Sequence, residues 1–149
     1  MTDHLPGGAS GRRTLDRAER DLLIARIRDT LDRAPTMVFG YVFGSLILDT
    51  PIADVDVAVF LDAGKAPVPT HLDVQLELTG RLEGTVHLPV DVVILNDAPL
   101  GLQLAAVRGR VALSRDEAMR QAFLERVSLQ ALDTAFLRRL ALRDVLSIT

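Results

Sequence analysis

The sequence predicts an α/β or α+β domain. Three short runs, 37–43, 55–61 and 90–95, are rich in β-branched and aromatic residues and are typical of buried strands. The longer segments between and after them repeat apolar residues at helical spacing. Strands that alternate with helices favour this class over an all-α or all-β fold. With 149 residues, the chain is long enough for one such domain with a sizeable core.

Elements of the first half follow from periodicity and from helix-breaking residues. A helix is predicted over 14–34, with Thr14 as its N-cap. A buried strand, Met37–Phe43, follows it, and the pair at 44–45 makes a tight turn. The run Val55–Leu61 is then the second strand.

The middle of the chain continues this alternation. A helix is predicted over 70–83, where Gly84 provides a stop signal. A third strand over 90–95 leads to a short helix, Leu100–Val107, and a small strand over 110–113.

A long helix is predicted to begin near Asp116. Ser114 is its expected cap, with Glu117 three residues on completing a capping box. The helix either breaks near Ser128 or runs on through Leu146. We expect its apolar positions to form core. Some of them are also expected to cover a partner, because a small domain cannot bury all the apolar surface of such a helix. The positions concerned are Phe123, Val127, Leu132, Phe136 and Leu140.

Composition excludes several classes of protein. A net charge of −3 gives no reason to expect a nucleic-acid-coating surface, and the absence of cysteine excludes disulfides and thiolate zinc sites. We expect no signal peptide, because the first residues are polar and glycine-rich, and no apolar run approaches the roughly 20 residues that span a bilayer. We therefore expect a cytoplasmic protein without membrane or direct nucleic-acid contact. Residues 1–13 are expected to be a flexible tail before a single domain over 14–149.

Two carboxylates occupy an unfavourable place at the start of the second predicted strand, one just before it and one within it. Because strand residues alternate between faces, Asp54 and Asp56 project from the same side of the sheet. Aspartate resists burial and is a poor strand former, so something must stabilise the pair. A divalent cation does so, and magnesium suits an oxygen-rich site that also receives phosphate oxygens. The alternative is a solvated sheet edge, where charge discourages pairing with other strands.

A third carboxylate and a glycine turn strengthen the metal interpretation. Asp91 interrupts a later run of valines, and it joins the first two aspartates if their strands are neighbours. Three carboxylates can hold two magnesium ions, one with a nucleotide triphosphate and one lowering the pKa of an attacking hydroxyl. Glycine in the pair Gly44-Ser45 permits a close backbone approach to an anionic ligand.

These residues resemble the motif of a known family. Gly44-Ser45, then eight residues, then Asp54 and Asp56, and later a strand with Asp91, resemble the minimal nucleotidyltransferases (MNT) of the DNA polymerase β-like superfamily. The resemblance implies a small mixed sheet flanked by helices. It assigns Gly44 and Ser45 to phosphate binding, Asp54 and Asp56 to metal binding, and Asp91 to the role of third catalytic carboxylate and metal ligand.

The resemblance extends to a specific branch of that superfamily. The segments 90–113 and 122–139 are similar to antitoxins that are paired with HEPN-domain ribonuclease toxins, so that about residues 20–140 are covered. It implies transfer of AMP from ATP, with two Mg²⁺ ions, to a tyrosine hydroxyl of the cognate HEPN toxin, which is thereby neutralised. A homo- or hetero-oligomer is compatible with this function.

One segment departs from the family pattern and keeps two alternatives open. The segment 46–49, Leu-Ile-Leu-Asp, stands where the family has a basic stretch that often opens with Arg-Gly, and the whole connection is shorter. Lost positive charge weakens phosphate binding, which favours an antitoxin that neutralises its toxin by binding alone. The other alternative is a nucleotidyltransferase that acts on a small molecule such as an aminoglycoside.

Overall fold

The computed structural model describes residues 13–48 and 51–147. The predicted flexible tail therefore lies outside the described residues, apart from Arg13. This residue pairs with Ile52 through two backbone hydrogen bonds of 2.7 and 2.8 Å. None of the described helices is both long enough and apolar enough to cross a membrane.

Strands and helices alternate along the described residues, as the sequence predicts. The α-helices and strands are α1 Arg17–Asp32, β1 Met37–Phe43, β2 Val55–Leu61, α2 His71–Val86, β3 Val90–Ile94, α3 Leu100–Val107, β4 Arg110–Ser114 and α4 Glu117–Ser147. Short 3-10 turns lie at Gly44–Leu46, Val68–Thr70 and Leu95–Asp97. The predicted mixed α/β class is confirmed.

The strands form one mixed sheet in the order β3-β2-β1-β4. Strand β1 is antiparallel to both β2 and β4, whereas β2 and β3 are parallel and are joined through α2. Alternate residues of β2 bury their side chains under α1 and α2, among them Val57 and Val59. The opposite face, which includes Phe39 and Ala58, packs against α3 and the start of α4. The predicted small mixed sheet flanked by helices is therefore confirmed.

The helix caps differ from those predicted. Asp16, rather than Thr14, caps α1: its carboxylate accepts the backbone N–H of Glu19 at 2.8 Å, and Glu19 closes a capping box. At α4, the carboxylate of Asp116, rather than the hydroxyl of Ser114, accepts the backbone N–H three residues on at 3.0 Å. In both cases an aspartate lies nearer the first helical turn and satisfies its otherwise unpaired donors.

Helix α2 runs past its predicted stop. It continues through Gly84 to Val86 and ends at His87, whose φ of 55° lies in the left-handed region. The backbone N–H of His87 closes the helix on the carbonyl of Glu83 at 3.0 Å. Burial of Leu82 and Val86 in the core explains the extension, because this contact outweighs the modest helix penalty of one glycine.

Helix α4 is continuous for 31 residues and does not break near Ser128. Its first half is fixed to the domain by the buried side chains of Phe123 and Val127. The guanidinium of Arg120 adds a hydrogen bond of 3.1 Å to the hydroxyl of Tyr41. From Leu129 onward its described side chains are almost all exposed. The second half of the helix therefore extends beyond the domain.

Candidate active site

Asp56 lies at the centre of the candidate site. It sits in the inner strand β2, opposite Asp91 of the parallel strand β3 and opposite Phe43 of the antiparallel strand β1. Side chains of residues paired across a sheet share a face. The two aspartates are therefore neighbours, and the turn that begins at Gly44 lies on the other side of Asp56.

Asp54 completes a group of three carboxylates at this end of the sheet. It immediately precedes β2 and is exposed, while Asp56 is half-buried. Burial raises the pKa of Asp56, and the negative charges of Asp54 and Asp91 raise it further. The solvated-edge alternative is wrong for Asp56, because β2 has a strand on each side. Asp54 and Asp91 thus lie close enough to oppose the ionisation of Asp56.

The glycine turn packs directly against the central carboxylate. Gly44 has a φ of 75°, in the region that glycine adopts at little cost. A Cβ atom built at this position would overlap the Oδ2 atom of Asp56. The turn then closes with hydrogen bonds from the backbone N–H groups of Ile47 and Leu48 to the carbonyl of Gly44, at 3.1 and 3.2 Å. Glycine at this position therefore gives the carboxylate its space.

The three aspartates have the oxygen atoms that a divalent cation prefers, but their side chains do not converge as metal ligands in this structure. Within the described ranges, no three histidine or acidic side chains form a ready-made metal cluster. Asp54 and Asp91 are exposed and like-charged, so that their side chains are free to turn apart. Three carboxylate oxygens beside a glycine without a Cβ nevertheless match the hard oxygen ligands that Mg²⁺ takes.

Replacing Gly44 with alanine is expected to lower the free energy of unfolding by at least about 1–2 kcal/mol, because a left-handed φ is costly for any residue with a Cβ. The overlap with Asp56 adds to this cost. Denaturant unfolding measures the change. Gly80→Ala is the matched control: it lies within α2 with no atom within 4 Å of the added Cβ, and it should gain about 0.8–1 kcal/mol. Equal effects at the two positions would contradict the packing described for Gly44.

Asp56→Asn is expected to stabilise the metal-free chain near neutral pH. The unfolded carboxyl ionises near pH 3.9, whereas the folded Asp56 holds its proton to higher pH. Over that window the folded state binds more protons, so this group makes stability fall as pH rises. Melting curves from pH 4 to 8 should show this slope in the wild type, reduced in Asp56→Asn but not in a control, Asp29→Asn. A variant that melts below the wild type at pH 7 would contradict the assignment.

A basic cavity that the sequence analysis did not find lies beside the glycine turn. Arg17 and Arg20 of α1 and Arg110 of β4 line a cavity of about 340 Å³ together with Leu46 and Ile47 of the turn. Sequence periodicity places the two α1 arginines on one face, but no local pattern brings in a residue 90 positions away. Three arginines of other elements, together with Asp21, thus lie beside the start of this apolar segment.

The second half of α4 carries an exposed apolar stripe, called here the distal α4 face. Its members are separated by three or four residues, so that they lie on one side of the helix. They are Leu129, Leu132, Phe136 and Leu140, whose exposed fractions are 55%, 67%, 61% and 39%. Exposed apolar patches of this kind mark interaction sites on soluble proteins.

The structure thus places a glycine turn and three carboxylates at one end of a mixed sheet. A model of the family described as "Polymerase beta, Nucleotidyltransferase" matches residues 25–118 of the chain. The chain belongs to this Polymerase beta, nucleotidyltransferase family. No protein with a curated description matches it.

Solved structures with a similar fold include toxin–antitoxin complexes. The MntA–HepT complex matches with a TM-score of 0.58 and 20% identity, over 88% of this chain and 99% of the matched chain. A complex of tri-AMPylated Shewanella oneidensis HEPN toxin with MNT antitoxin gives 0.58 and 20%, over 89% and 99%. A toxin–antitoxin structure with AMP-PNP gives 0.64 and 22%, over 83% and 98%. These likenesses establish a shared fold over nearly the full length of the matched chains.

Proposed function

We propose that the chain is an antitoxin that transfers AMP from ATP to a tyrosine hydroxyl of a cognate HEPN toxin in the cytoplasm. The observation that carries the proposal is the pairing of Asp56 with Asp91 in adjacent parallel strands, with Asp54 and the Gly44 turn beside them. Family membership supports nucleotidyl transfer. Similar folds occur in a complex with an AMPylated HEPN toxin and in a structure with AMP-PNP, which supports the substrate and the partner.

Each site residue has a defined role in this proposal. The turn at Gly44 and Ser45 receives phosphate oxygens, and Asp54, Asp56 and Asp91 would hold Mg²⁺, two ions being expected. Bound magnesium would neutralise phosphate charge and favour the ionised form of the acceptor hydroxyl. Asp91 is exposed on the edge strand β3, and it takes the proton of the acceptor hydroxyl.

The proposed transfer forms one bond to phosphorus and breaks another. The phenolic oxygen attacks the α-phosphorus of ATP, and a new P–O bond forms while the bond from that phosphorus to the bridging oxygen breaks. The bonding electron pair leaves with pyrophosphate, and the phenolic proton passes to Asp91. The protein's contribution is positioning and charge, as is usual for reactions at phosphorus.

In this proposal, arginines outside the glycine turn supply the positive charge that binds the triphosphate. The arginines at 17, 20 and 110 line a cavity with Leu46 and Ile47, the residues that directly follow Ser45. Arg110 is already oriented by an ion pair of 3.1 Å with Asp21. We propose that this cavity compensates for the missing basic stretch, and the proposal favours an active enzyme over a degenerate one.

The distal α4 face is the proposed surface for the toxin. Its apolar side chains project from a helix segment about 28 Å long that extends beyond the domain. Two structures with a similar fold are a toxin–antitoxin complex and a complex with a HEPN toxin, so the toxin is the occupant that the proposal commits to.

The decisive experiment combines two measurements on the purified chain. Calorimetry with a non-hydrolysable ATP analogue, with and without Mg²⁺, should show magnesium-dependent binding. Intact-mass analysis of the toxin after incubation with the chain, ATP and Mg²⁺ should show added AMP. Toxin neutralisation with neither binding nor added mass would instead establish the antitoxin that acts by binding alone, which the apolar segment after Ser45 favours.

A further inference from the structure

A groove of about 470 Å³ runs along the free side of the edge strand β3. One wall is the start of α2, with Leu72 and Gln75, and the other is the start of α3, with Leu102. Asp91, the proposed proton acceptor, is itself part of the lining. The groove therefore opens beside the carboxylate that takes the proton of the acceptor hydroxyl in the proposed reaction.

The lining combines apolar rims with acidic groups. Val68, Leu72 and Leu102 are 65%, 62% and 42% exposed, which is unusual for side chains at the mouth of one groove. Among the described lining residues, two are aspartates, Asp91 and Asp97, and none is lysine or arginine. Such a surface disfavours a phosphate-rich ligand such as a nucleic acid, and it suits an apolar segment with neutral or basic flanks.

The backbone of β3 is already protected from a further strand. The side-chain amide of Gln75 donates to the carbonyl of Val92 at 2.6 Å, and the carboxylate of Glu83 accepts the N–H of Val90 at 3.1 Å. Two groups that an added strand would use are therefore occupied by side chains of α2. The groove is suited to receive a side chain rather than a β-strand.

We propose that this groove binds the acceptor segment of the toxin and delivers its tyrosine ring to Asp91. The proposal rests on the function proposed above, because it identifies the acceptor subsite of the same reaction. Leu72 and Leu102 clamp the ring and its apolar neighbours from opposite walls. Asp97, held 3.6 Å from the ring nitrogen Nδ1 of His71, attracts basic flanking residues of the segment. Leu72 and Leu102 are positioning residues, and they set acceptor specificity rather than nucleotide affinity.

The test uses Leu72→Arg and Leu102→Arg in the full chain, with the cognate HEPN toxin of the proposed function as acceptor. The KM for toxin in AMP transfer should rise about tenfold or more, since loss of one apolar subsite has effects of this size. The affinity for the ATP analogue should stay within about twofold, because neither residue lies at the nucleotide site. Leu22→Arg, at a leucine 53% exposed on α1, is the matched control and should change neither quantity.

A second readout does not depend on turnover. A photocrosslinker, p-benzoylphenylalanine, placed at position 72 should couple to a toxin peptide that contains the AMP-accepting tyrosine. If the wild type transfers AMP but both groove variants match Leu22→Arg, the groove proposal is overturned and the function stands. If the wild type transfers no AMP, the proposed function fails, and the crosslink alone decides whether the toxin docks here. If the aminoglycoside kanamycin accepts AMP and the toxin does not, the proposal that the groove binds a protein segment is overturned.

Discussion

Replacing both Asp54 and Asp56 with asparagine is expected to reduce AMP transfer by at least about a thousand-fold. The charge stabilisation that carboxylate-held metal supplies is worth several kcal/mol, and each 1.36 kcal/mol is a factor of ten in rate. Both substitutions are isosteric, and Asp56 loses an unfavourable charge interaction with its neighbours. The variant should therefore remain folded. Intact-mass analysis of the toxin over time measures the rate, and circular dichroism checks the fold.

The control for this variant separates loss of catalysis from loss of assembly. Asp29→Asn removes one exposed charge from α1 and should transfer AMP at the wild-type rate. The double variant should still bind the toxin in a pull-down, since the distal α4 face is untouched. Transfer that continues at more than about a tenth of the wild-type rate would place the catalytic carboxylates elsewhere.

The elements that sequence predicted well are those with strong local signals. The strands at 37–43 and 55–61 and the helix at 100–107 have the predicted bounds, because short apolar runs end at glycine, proline or polar residues. The end of α2 was missed, since burial of Val86 in the core is a tertiary effect that overrides the local signal at Gly84. Helix caps were missed by two residues for a related reason, as several capping residues stand close together.

The candidate site shows where local reasoning stops. Alternation along a strand predicts that Asp54 and Asp56 share a face, but the pairing of Asp56 with Asp91 depends on register between strands. A slip of one residue would move Asp91 to the opposite face of the sheet. The groove along β3 and the basic cavity were not predicted, because each is assembled from residues far apart in the chain.

Charged substitutions on the distal α4 face are expected to abolish neutralisation without impairing the nucleotide site. Leu132→Glu together with Phe136→Glu places two carboxylates at the centre of the apolar stripe. Loss of a central anchor typically costs at least 2 kcal/mol of binding free energy, so affinity for the toxin should fall by about 30-fold or more. Both side chains are already exposed, and folding should be unaffected. Titration calorimetry with the toxin, and separately with the ATP analogue, measures the two affinities.

The α4 variant and the Asp54→Asn/Asp56→Asn variant should each lose a different function. The α4 variant should bind nucleotide but not toxin, whereas the aspartate variant should bind toxin without transferring AMP. Leu22→Glu, at an exposed leucine of α1, should behave as the wild type in both assays. Light scattering gives the oligomeric state of both proteins. If the wild type is a dimer and the α4 variant is a monomer that binds toxin normally, the distal α4 face joins two copies of the chain instead. Neutralisation that survives in the aspartate variant but not in the α4 variant would mean that covering the toxin suffices, and that AMP transfer only makes the neutralised state permanent.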